Sequence, residues 1–129
     1  MTGNVMSKIH VWAGMTSDSL ERYSRYFQID HAERALHRPA SLFDTDLYTF
    51  WYDDDLIGVC YFEEPRPIEQ ALDELPVSPE ALDVILQRCL KMEIGAANAL
   101  FYYTDATLVV ADPLKTYNGL PYLGVFEND

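Results

Sequence analysis

At 129 residues, with nearly half its side chains hydrophobic and 13% aromatic, the chain is long enough to bury a core as one domain (1–129) and too apolar to remain disordered. Its 21 acidic and 9 basic residues give a formal net charge of −12, which argues against nucleic acid and an anionic membrane surface as partners. No apolar run approaches the ~18 residues of a membrane span, the first ten residues lack a secretory signal's regions, and Cys60 and Cys89 form no disulfide framework. The expectation is a cytoplasmic protein with reduced thiols.

Lys8–Gly14 is rich in β-branched and aromatic residues and ends at a glycine, as a strand does. Ser17 or Asp18 suits the N-cap of a following helix, with Leu20, Tyr23 and Phe27 at helical spacing and Glu21, Arg22 and Arg25 turned to water. Asp30–Arg38 predicts a further helical turn or two before Pro39. Ser41 to Phe50 reads as a short helix or a loop. Leu56–Phe62 is a continuous apolar run of strand length, and E-E-P-R-P behind it reads as a breaker. Ile68–Leu75 predicts a short helix. Ser78-Pro79-Glu80 then combines an N-cap serine, proline at the first helical position and an early glutamate, followed by the stripe Leu82, Ile85, Leu86, Cys89 and Leu90. Gly95 suits the end of that helix. Ala99–Thr104, Thr107–Val110 and Tyr122–Phe126 read as strands, with Asn118-Gly119 as a turn before the last. The sum is an α+β fold: a four- to five-stranded, mostly antiparallel or mixed sheet with two main helices on one face.

Charge is concentrated. Residues 39–87 carry twelve acids and a single base, Arg66. Within them Asp44, Asp46 and Asp53-Asp54-Asp55 put five carboxylates in twelve residues, beside Tyr48, Phe50, Trp51 and Tyr52. Three uses stand open: oxygen ligands for a divalent cation, an acid/base pair, or negative charge presented to a basic partner. The spacing does not match an EF-hand loop, and three adjacent aspartates in an extended segment point to alternating sides. No nucleophile elbow, zinc-binding helix, phosphate loop or C-x-x-C accompanies them. His10, His31 and His37 lack a second ligand at metal spacing and read as structural or exposed. Cys60 and Cys89 lie on apolar faces and read as core residues. The acidic segment also reads as solvated charge, as in many acidic cytosolic domains.

V-W-A-G from Val11, followed by S-L-E-R-Y-S-R-Y-F from Ser19, resembles the start of the immunity protein 22 family of bacterial polymorphic-toxin systems. W-Y-D-D-D-L looks like that family's middle segment, and A-A-N-A-L-F-Y-Y with P-Y-L-G-V-F resembles its closing strands. The similarity runs from about Ile9 to Glu127, with Glu63 to Gly95 matching only in pattern. The resemblance implies a small cytoplasmic antidote without cofactor or enzymatic activity, which binds the toxin domain encoded beside it, often a nuclease. In that reading Asp44, Asp46, Asp53, Asp54 and Asp55 steer and pair with a basic partner, and Trp51 and Tyr52 anchor it. Trp12, Gly14, Tyr23 and Gly124 are expected to serve the fold. The alternatives are a small metal-assisted hydrolase using the same aspartates, or an acidic adaptor subunit unrelated to toxins. Oligomeric state and strand order are not legible in the sequence.

Overall fold

The computed structural model describes residues 8–49 and 51–128, so Phe50 of the aromatic–acidic stretch lies outside the described residues. In chain order the elements are β1 (Lys8–Gly14), α1 (Leu20–Arg25), α2 (His31–Ala35), α3 (Leu42–Leu47), β2 (Ile57–Pro67), α4 (Ile68–Ala71) with a 3₁₀ turn over Leu72–Glu74, α5 (Pro79–Lys91), β3 (Ala96–Thr104), β4 (Thr116–Tyr117) and β5 (Leu120–Glu127). The strands form one sheet in the order β2-β3-β1-β5-β4, and every neighbouring pair is antiparallel. The fold is α+β.

β1 occupies the centre and is buried on both faces from Ile9 to Gly14. Ile9, Val11 and Ala13 join Leu100, Leu123, Ile85 and Cys89 in one core, covered by α4 and α5. Trp12 on the opposite face joins Phe101, Tyr103, Tyr23, Tyr26, Phe27, Phe43 and Leu47 in a second core, covered by α1, the residues after it and α3. The two main helices, placed on one face by the sequence reading, therefore divide between the faces. The reason lies in β1 itself, where both sets of alternating side chains are apolar or aromatic and both need cover. Trp12 stacks on Phe101 at 4.6 Å between ring centroids and meets Phe43 edge-on at 5.7 Å.

Three short helices carry side-chain caps. Ser19 caps the Arg22 N–H, Asp30 caps Ala32 and Glu33, and Ser41 caps Asp44. The α1 cap is thus Ser19, not Ser17 or Asp18, and the helix is so short that Leu20 stays 56% exposed. At α5 the Ser78 cap and Pro79 stand as read. Its far end closes on Met92, with Glu93 in the left-handed region at φ 60°, while the Gly95 carbonyl accepts the Ile68 N–H.

β2 runs straight through E-E-P-R-P instead of stopping there. It does so as an edge strand whose register against β3 slips between Tyr61 and Arg66, so Pro65 sits where no ladder bond is required. Thr107–Val110 is not a strand. The Asp105 carboxylate accepts from the Thr107 N–H, the Thr107 hydroxyl and the Leu108 N–H, folding the chain into a turn. The last hairpin turns on Asn118 and Gly119, both left-handed at φ 56° and 81°.

Candidate partner-binding surface

The five aspartates fall into different environments. Asp44 is 0% exposed and sits at the third position of α3, behind the Ser41 cap. Its Oδ2 accepts from the Ser41 hydroxyl at 3.1 Å and the Ala40 N–H at 3.4 Å, and its Oδ1 from the Thr49 hydroxyl at 3.1 Å and the Tyr52 N–H at 2.9 Å. Four donors from two segments thus hold one buried carboxylate, which clamps α3 to the chain at Tyr52 and presents no charge to solvent. Asp46 accepts from the Tyr26 hydroxyl and faces the Lys115 ammonium at 3.7 Å. Lys115 also lies over the rings of Tyr48 and Tyr117, at 4.9 and 5.1 Å. Burial first, and then the bond to Asp46, raises the Tyr26 phenol.

Tyr52 is equally internal. It is 3% exposed, and its hydroxyl donates to the Phe27 carbonyl. Burial, then the nearby charges of Asp54 and Asp44, pushes the Tyr52 phenol up to about 12, with Arg34 pulling the other way.

Asp53, Asp54 and Asp55 are all exposed, but on a tight turn and not on the extended segment expected for them. The Leu56 N–H returns to the Asp53 carbonyl at 2.9 Å, and the Asp53 carboxylate accepts the Asp55 N–H at 3.0 Å. The Asp53 N–H donates to the Tyr103 hydroxyl at 2.8 Å, which fixes the turn to the end of β3.

One residue that sequence reasoning passed over organises this surface. Arg34 of α2 is only 8% exposed. Its Nη2 donates to the Tyr52 carbonyl at 2.8 Å, its Nη1 lies 3.5 Å from Asp54 Oδ1, and its guanidinium carbon stands 4.7 Å over the Trp51 ring and 5.7 Å from that of Tyr52. Its Nε is buried without a protein acceptor. Trp51 is held from beneath in this way and remains 55% exposed. In H-A-E-R-A nothing local separates Arg34 from the solvated Arg25 or Arg38; its role exists only once α2 packs beside residues 51 to 54.

The other candidates are scaffold. His10 is buried, with Nδ1 2.7 Å from the Tyr122 hydroxyl and Nε2 3.2 Å from the Asp105 carbonyl. That pairing puts the single proton of the neutral ring on Nε2, and burial holds its pKa below the ordinary value. His31 and His37 lie on the surface. Burial pushes the Cys89 thiol up to about 11 and raises that of Cys60. Among the described residues no group of three His, Cys, Asp or Glu side chains is placed to hold a metal ion, and no helix of the described residues is long and apolar enough to cross a membrane.

Of the candidate residues, those turned outward therefore include a tryptophan seated on Arg34 and three aspartates beside it on a turn, a combination that can bind a cationic surface. A family model described as immunity protein 22 matches residues 9–129. No curated protein and no solved structure matches the chain.

Proposed function

The chain belongs to the immunity protein 22 family, and from that membership we propose that it neutralises a cognate toxin domain by binding it through the surface running from Trp51 to Asp55. The observation that carries this reading is the exposed Trp51 ring, seated over Arg34 beside the exposed turn of Asp53, Asp54 and Asp55. An aromatic anchor that is already ordered loses little side-chain freedom on binding. Carboxylates around it accelerate encounter with a basic partner. The net charge of −12 repels nucleic acid and anionic lipid, and it suits a toxin whose own site is basic because it handles phosphates, as a nuclease does. The protein then works as a cytoplasmic inhibitor and not as an enzyme. Of the five aspartates, Asp53, Asp54 and Asp55 carry the interface, while Asp44 and Asp46 support it from within.

The test is direct. The toxin domain encoded next to this gene is produced, and binding and rescue of growth are measured with the wild-type chain. Replacing Asp53, Asp54 and Asp55 together by asparagine should slow association several-fold and flatten its salt dependence, with dissociation less affected. Absence of both binding and protection by the wild-type chain refutes the reading. An unchanged association rate moves the interface elsewhere.

A further inference from the structure

Between Trp51 and the turn after β3 lies a recess of about 120 Å³, lined in part by Thr49, Trp51, Tyr52, Tyr103, Asp105 and Thr107. We propose that this recess is the seat for a single lysine or arginine side chain of the toxin; the inference rests on the function proposed above and names the partner chemistry it requires.

The lining decides the occupant. Among the described residues that line it, Asp105 is the only charged one and none is basic. All three internal bonds of the Asp105 carboxylate fall on Oδ1, from the Thr107 N–H at 2.7 Å, the Thr107 hydroxyl at 2.8 Å and the Leu108 N–H at 3.2 Å, which leaves Oδ2 outside them. The main chain of Asp53 abuts the same place, its N–H donating to the Tyr103 hydroxyl at 2.8 Å. The rest of the lining is the aromatic residues Trp51, Tyr52 and Tyr103, the threonines Thr49 and Thr107, and the aliphatic Leu47 and Leu108. Aromatic faces, one carboxylate and hydroxyl acceptors are the groups that hold a desolvated ammonium or guanidinium. An apolar occupant would bury the Asp105 charge unpaired, an anion would be repelled, and a divalent cation needs more oxygen ligands than one carboxylate supplies. The volume fits as well: about 120 Å³ is well above the ~10–15 Å³ that a single water needs and admits the tip of a basic side chain. Trp51, anchored over Arg34, forms one wall, so the site exists before the partner arrives.

The experiment uses the toxin domain encoded beside this gene and measures its dissociation constant calorimetrically. Asp105→Asn keeps the Oδ1 acceptor and so the turn, but removes the charge; it should weaken binding by about tenfold or more. Thr107→Lys, at an exposed position on the rim, supplies a cation from the chain itself and should weaken binding to a similar degree. Pairing Asp105→Asn with each lysine or arginine to methionine change in the toxin should reveal one basic residue whose loss no longer matters in the Asp105→Asn background. Thermal melts of both variants confirm that they remain folded. Wild-type binding with both variants within twofold of it overturns the recess and leaves the toxin-binding reading intact, whereas failure of the wild-type chain to bind overturns both.

Discussion

The guanidinium of Arg34 lies 4.7 Å over the ring of Trp51. The same group reaches the carbonyl of Tyr52 and the carboxylate of Asp54, so one buried cation contacts three neighbouring residues of the proposed surface. Because Asp54 is half in water, the ion pair contributes little by itself; the hydrogen bond and the planar stack do more.

Arg34→Met should therefore destabilise the fold by about 2 kcal/mol, through one lost charge-assisted bond and one lost stacking contact. Arg34→Lys should restore less than half of this, since an ammonium neither stacks flat nor forks. Urea midpoints measure the loss, and hydrogen exchange at residues 51–56 should rise in both variants more than exchange in β1.

Asp44→Ala leaves four donors facing an empty site, one of them the Tyr52 N–H. The expected cost is about 3 kcal/mol. Asp44→Asn keeps one acceptor oxygen and turns its amide toward donors, so it should fall between wild type and alanine. Equilibrium unfolding of the three chains checks the order, and an alanine variant as stable as wild type contradicts the clamp.

Gly124 has φ 127°, and a Cβ there would stand 2.9 Å from Arg88 Nη1, the atom that donates to the Leu123 carbonyl at 2.7 Å. The residue lies where the β1–β5 register shifts, with Val11 opposite Gly124 and Trp12 opposite Tyr122. Gly124→Ala should cost about 2 kcal/mol, from backbone strain and the displaced arginine together. A thermal melt of Gly124→Ala beside Arg88→Ala separates the two contributions.

Burial holds His10 below its ordinary 6.5, against the upward pull of the Asp105 carbonyl and charge and with the downward push of Lys8. The unfolded chain thus takes up a proton at a higher pH than the folded one. Stability from this residue is complete above pH 6.5 and is lost as pH falls below 6.5 toward the depressed value. The urea midpoint should stay level from pH 8 to 7 and fall between 6.5 and 5. In His10→Gln that fall should shrink, and an identical slope would place its origin elsewhere.

Local rules made part of this molecule readable from its residues. Ser78-Pro79 starts α5 and Asn118-Gly119 turns the last hairpin, because each depends on neighbouring backbone alone. What needed the folded chain was long-range. Pro65 and Pro67 sit within a strand because a register slip and an edge position remove the bonds they cannot make. Thr107–Val110 has strand composition, yet three bonds to Asp105 curl it away. Asp44 and Asp53 look equivalent in sequence; only the cap at Ser41 and the packing of Tyr52 send one inward and leave the other outside. Arg34 carried no local signal at all.

The turn from Asp53 to Leu56 owes its shape to the Leu56 N–H on the Asp53 carbonyl and to the Asp53 N–H on Tyr103, both made by the main chain. Side chains at Asp54 and Asp55 can consequently be exchanged with little effect on the path of the chain. Point changes at Asp54 or Asp55 would alter the charge displayed on this turn and leave the main-chain path as it was, whereas Trp51 stays tied to the scaffold through Arg34.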